Sequence, residues 1–93
     1  MHVLAAQITL FAPFVHSLKE KRMILRSMED RVKHKFNVSV AEVGKQDTHQ
    51  IIVLGIACVS ETAAQTETVI SEVIRFIEGH TDADITDIAY CEI

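Results

Sequence analysis

Seven cationic side chains crowd one stretch of this sequence, Ser17 to Phe36: Lys19, Lys21, Arg22, Arg26, Arg31, Lys33 and Lys35. Glu20, Glu29 and Asp30 are the acids among them, so the stretch carries +4. The remainder sets Lys45 and Arg75 against ten acids and carries −8, which together give the formal −4 of the 93-residue chain. Clustered cations on an acidic body suit one kind of chemistry, the holding of an anion in a fixed orientation. On a helix at 100° per residue, Lys19, Arg22, Arg26 and Lys33 fall within about 60° of one another. Arg26 and Lys33 each have Glu29 and Asp30 three or four positions away. Such pairs are expected to form, at about 0.3–0.5 kcal/mol each. Lys19, Lys21 and Arg22 have no acid at those spacings and read as unpaired. They also occupy the first turns of the helix, where the macrodipole disfavours cations by about 0.3–1 kcal/mol each. Ser17 before them is a cap residue with free backbone N–H groups beyond it, and His16 adds a donor. Lys19, Lys21, Arg22, Arg26, Ser17 and His16 are therefore the candidate anion site. A nucleic-acid phosphate is the first expected ligand and a small phosphorylated metabolite the second.

Other groups capable of chemistry are scattered. Glu42 stands out as an acid in an apolar segment. It is either part of a secondary site with Lys45 and Asp47 or a charge that protects a sheet edge. His2, His16, His34, His49 and His80 show no HxxxH spacing, and Cys58 and Cys91 form no CxxC, so neither a metal site nor a cofactor is expected. No nucleophile–base arrangement can be read from spacing, and no catalytic residue is assigned.

Six elements must carry these groups. His2 to Phe11 alternates as a strand, with Leu4, Ala6, Ile8 and Leu10 in one row and Val3, Ala5, Gln7, Thr9 and Phe11 in the other. Ser17 and Glu20 form a capping box, so a helix starts at Leu18; it ends near Phe36-Asn37. Its apolar face is Leu18, Ile24, Leu25, Met28, Val32 and Phe36. Asn37 to Val43 is a strand, Gly44 to Gln50 a polar turn, and Ile51 to Val59 a strand apolar on both faces. A second helix begins after Ser60 or Thr62 and ends at Gly79, a residue that commonly terminates helices. Ala83 to Ile93 is the last strand.

Strand, helix, strand, strand, helix, strand is the order of a ferredoxin-like α+β sandwich, and residues 1–93 read as one such domain. The first and third strands are then central, which fits their lack of charge from Val3 to Leu10 and from Ile51 to Val59. One sheet face stays uncovered by helices. Val3, Ala5, Gln7 and Thr9 point to it, with one of the two rows of the third strand. Whichever row it is, the face is apolar, and a homodimer or higher oligomer of this chain is expected to cover it.

Several function classes fall away. Acylphosphatases share the strand order but need a glycine-rich phosphate loop after the first strand; here the loop is Ala12-Pro13-Phe14-Val15-His16. RNA-recognition motifs stack bases on aromatic residues of the central strands, and Ile51 to Val59 has none. RNA contacts would go to phosphate and shape, with little sequence readout. No apolar run reaches the ~18 residues of a membrane span. The start Met-His-Val lacks signal-peptide features, so a soluble, cytoplasmic chain with buried free thiols is expected.

Three segments together carry a family resemblance: His16-Ser-Leu-Lys-Glu-Lys-Arg22, Phe36-Asn-Val-Ser-Val-Ala-Glu-Val-Gly44 with Gln46-Asp47 after it, and Leu54-Gly-Ile-Ala-Cys-Val-Ser60. They resemble the small bacterial YlxP-like family, a domain of unknown function, over nearly the whole chain. The resemblance implies a ferredoxin-like fold. Through the transcription, translation and ribosome-maturation genes that usually accompany it, it also implies a ribosome-associated role. It brings no established catalytic residues. The expectation is thus a non-enzymatic RNA-binding factor that docks its first helix on rRNA or a ribosomal subunit. The alternative is a homo-oligomeric module for a small phosphorylated ligand, bound at the Ser17 cap or between subunits.

Overall fold

The computed structural model describes residues 1–92. Six elements follow in order: β1 (His2–Phe11), α1 (Leu18–Lys35), β2 (Ser39–Gly44), β3 (Ile51–Ser60), α2 (Ala63–Gly79) and β4 (Asp84–Glu92). The strands form one antiparallel sheet in the order β2-β3-β1-β4. This is the expected ferredoxin-like α+β arrangement, with β1 and β3 in the centre. Ile93, the last residue of the expected fourth strand, lies outside the described residues.

The core lies between the sheet and the helices. Ala6, Ile8 and Leu10 of β1 and Ile52, Leu54, Ile56 and Cys58 of β3 meet Leu25, Met28 and Val32 of α1 and Ile70, Val73 and Ile77 of α2. The alternation of β1 puts its even-numbered row inward. Register then decides the question that β3 left open. Ile8 pairs with Leu54 and Ala6 with Ile56, so the even row of β3 is also inward, while Ile51, Val53, Gly55, Ala57 and Val59 join the open face.

Both helices begin where their side chains can satisfy the first backbone donors. Ser17 Oγ accepts from Glu20 N at 3.1 Å, and Thr62 Oγ1 accepts from Gln65 N at 3.2 Å. Helix α2 ends at Gly79 as expected, but the glycine does not cap it. Gly79 is helical and has no positive φ. His80 is the capping residue instead; its ring stacks on Phe76 at 4.0 Å, with Nδ1 2.8 Å from the Phe76 carbonyl. The thiols also differ: Cys58 is buried, but Cys91 is exposed, because β4 is an edge strand and Cys91 pairs there with Ala5 of the outward row of β1. No helix among the described residues is long and apolar enough to cross a membrane.

Candidate nucleic-acid interface

Helix α1 packs against β2 and α2 and has three sides. The inward side carries Lys21, Leu25, Met28 and Val32, all buried. A second side, with Ile24, Ser27 and Arg31, borders the end of α2 around His80, Thr81 and Asp82. The third side carries Lys19, Arg22, Arg26 and Lys33, all exposed. From Lys19 to Lys33 it runs about 21 Å, at 1.5 Å per residue. Among the described residues, none of these four cations has an acidic group within 4.0 Å. The pairs expected from Arg26 and Lys33 to Glu29 and Asp30 are therefore not made. Exposed pairs gain little over solvation, and the side chains extend into solvent instead.

Lys21 does not belong to this stripe. Its side chain is 1% exposed, the least exposed of the chain's cations. Its Nζ donates to the Lys45 carbonyl at 2.8 Å and to the Thr48 carbonyl at 2.8 Å. It also stands 2.8 Å from Glu42 Oε2, the sole ion pair among the described residues. An ammonium has three N–H donors, and two of them are used on these carbonyls. Glu42 Oε2 is buried and meets the ammonium by charge rather than by an aligned hydrogen bond, and receives no other. The expectation that Lys21 is an unpaired anion-binding cation is corrected. It is a structural tie between the start of α1 and the β2–β3 hairpin.

The same contacts correct the secondary site. Glu42 faces inward because its register partner is Leu54, a core residue. Lys45 contributes its carbonyl, while its side chain and that of Asp47 are exposed. Lys45 has φ 52°, a left-handed conformation that is costly for a residue with a Cβ. Its carbonyl accepts from both Lys21 Nζ and, at 3.0 Å, Thr48 N, which fixes that turn. Glu42 and Lys45 thus meet through one carboxylate and one backbone carbonyl around Lys21, and Asp47 takes no part, so the three do not form a cluster of available side chains.

The cap of α1 is also internally satisfied. Ser17 Oγ is engaged by Glu20 N, and Glu20 Oε2 accepts from His16 N at 3.3 Å. A carboxylate standing over the helix N-terminus satisfies the dipole that a bound anion would otherwise serve. Ser17 and the His16 backbone belong to that capping box; the exposed His16 ring lies next to it. What remains open to an anion is the flank of Lys19, Arg22, Arg26 and Lys33.

A family model described as "Protein of unknown function (DUF503)" matches residues 3–90. The chain belongs to this family. One similar protein is "Uncharacterized protein YlxP" of Bacillus subtilis (strain 168), 46% identical over 70 residues that cover 75% of this chain and 76% of that protein. The family match spans all of the residues just described, from the sheet centre to the Lys21 tie. It assigns none of them a role. Lys21 was discoverable from sequence: positions 21, 25, 28 and 32 are the spacing of one buried helical stripe, and the Lys shares it with three apolar residues.

Proposed function

We propose that the protein is an RNA-binding factor that docks the outer flank of α1 on phosphates, with the ribosome as the source of the RNA. The observation that carries this reading is the flank itself: four exposed cations on one helix side with no acidic partner among the described residues. The remainder of the chain carries excess negative charge, which disfavours phosphate elsewhere and fixes the orientation of docking. The helix presents no aromatic side chain on that flank, so contacts go to phosphate and backbone shape rather than to bases. The family resemblance supplies the ribosomal context, and rRNA in a subunit offers long runs of accessible phosphate. The binding role itself calls for no chemistry beyond charge and position. A small phosphorylated ligand at the Ser17 cap is the weaker reading, because Glu20 already serves that N-terminus.

Binding to an rRNA fragment, followed by fluorescence anisotropy across a salt series, tests the proposal. Four neutralised phosphates give a slope of log K against log[salt] of about −3 to −4. Arg22→Ala with Arg26→Ala should reduce that slope by about two and weaken binding at every RNA sequence alike. A salt-independent affinity, or an unchanged one in the double variant, would exclude the flank as the docking surface.

A further inference from the structure

The face of the sheet turned away from the helices is the largest feature that RNA docking leaves unused. Its central rows are Val3, Ala5, Gln7 and Thr9 of β1 and Ile51, Val53, Gly55, Ala57 and Val59 of β3. Ser39, Ala41 and Val43 of β2 and Ala89 and Cys91 of β4 flank them. Small residues in the middle, Ala5, Ala41, Gly55, Ala57 and Ala89, leave a shallow trough of about 450 Å³ beside Gln7 and Val43. We infer that this face is the contact surface between two copies of the chain, packed sheet to sheet about a two-fold axis near Gln7.

Three observations select a second copy as the occupant. The first is charge. No Lys or Arg lies on the face, and Asp87 and Asp84, at its β4 edge, are the charged residues in the rows that pair along β1. Nucleic acid has nothing to hold there, and neither does a charged peptide. The second is Gln7. It is exposed at the centre of the face, between Gly55 and Ala89 in the register. A two-fold interface must be self-complementary, and a primary amide is: it holds both donor and acceptor, so two of them can pair across the axis. The third is area. Nine residues of strand length by four strand spacings give a face of roughly 30 by 19 Å. Two such faces bury on the order of 1,200 Å² together, which reaches the lower range of specific interfaces. The same contact would leave α1 and its cationic flank on the outside of each copy, free to bind.

Sedimentation velocity on the full chain, from about 1 μM to about 200 μM, reads the prediction directly. The wild type is expected to shift from monomer to dimer within that range. Val59→Glu, at a position 58% exposed in the single copy, should raise the dimer Kd at least tenfold and leave the far-UV circular dichroism unchanged. Gln7→Glu provides a second arm. Two carboxylates near the axis should abolish the dimer at pH 8, and protonation near pH 4 should restore it, because a neutral carboxyl again has donor and acceptor. A wild type that stays monomeric at about 200 μM overturns the inference and leaves the face to another partner. So does a folded Gln7→Glu variant that dimerises at pH 8 as the wild type does.

Discussion

Lys21 concentrates three demands on one atom. Its ammonium neutralises a buried carboxylate oxygen and satisfies two carbonyls of a turn held in a strained conformation. Removing one partner of a buried pair costs more than the pair contributes, because the other partner stays desolvated. Lys21→Met keeps most of the volume but leaves Glu42 Oε2 and both carbonyls without the ammonium. It should destabilise the fold by about 3 kcal/mol, since losses for broken buried pairs run at about 3–5 kcal/mol and Glu42 retains some solvent contact. In a domain of this size that is a drop in Tm of roughly 12–24 °C. Glu42→Gln, which removes the charge but keeps an acceptor, should cost about half as much or less. Differential scanning calorimetry of the two variants checks the ranking; equal losses would mean that the carboxylate, not the carbonyls, is what the ammonium holds. RNA binding by folded Lys21→Met should match the wild type, which separates the tie from the flank. At this scale the sequence was only partly readable. The flank of Lys19, Arg22 and Arg26 follows from the helix wheel. The destination of Lys21 needs Glu42 and the carbonyls of Lys45 and Thr48, which are 21 to 27 residues away in the chain, and no local spacing reveals them.

Elements were far more legible than residues. β1 alternates over its full length, α1 opens on a capping box, and β3 is apolar on both faces, so each carries a periodic signal of its own. β2 starts two residues later than its alternation suggests, at Ser39, and ends one later, at Gly44, where its pairing with β3 slips between Glu42 and Gly44. That bulge puts Val43 and Gly44 together against one β3 partner and leans Val43 across Gly55. A Cβ on Gly55 would stand 2.7 Å from Val43 Cγ1, closer than carbon atoms can pack. Gly55→Ala is therefore expected to destabilise the fold by about 1 kcal/mol, although alanine suits a strand interior better than glycine does. In a Val43→Ala background the clash is gone, and the same substitution should become neutral or slightly stabilising. Chemical denaturation of the four proteins in that cycle gives the coupling; additivity within about 0.3–0.5 kcal/mol would show that Val43 does not occupy the space at Gly55.

For the molecule as a whole, the sheet separates two surfaces of opposite character. One side bears the helices, with the cationic flank of α1 outermost; the other is a nearly neutral apolar face. The charge separation could be read from sequence, because it follows from where Lys and Arg cluster along the chain. Which β3 row faces outward could not, since both rows are apolar and only the register with β1 distinguishes them. The two thiols report on the two surfaces independently. Cys58 lies in the core at 5% exposure, while Cys91 is exposed on the open face next to Ala5. In the monomer, Cys91 should react with a thiol reagent quickly and Cys58 only as fast as the chain unfolds. If two copies pack sheet to sheet, Cys91 becomes covered as well. Its labelling rate should then fall with rising protein concentration, along the same curve as the sedimentation shift, while the slow phase from Cys58 stays fixed. Gln7→Glu at pH 8 should return Cys91 to its fast rate at all concentrations. A Cys91 rate that ignores concentration while the protein dimerises would put the dimer contact on the helix side of the sheet, where it would compete with the flank of α1 for RNA.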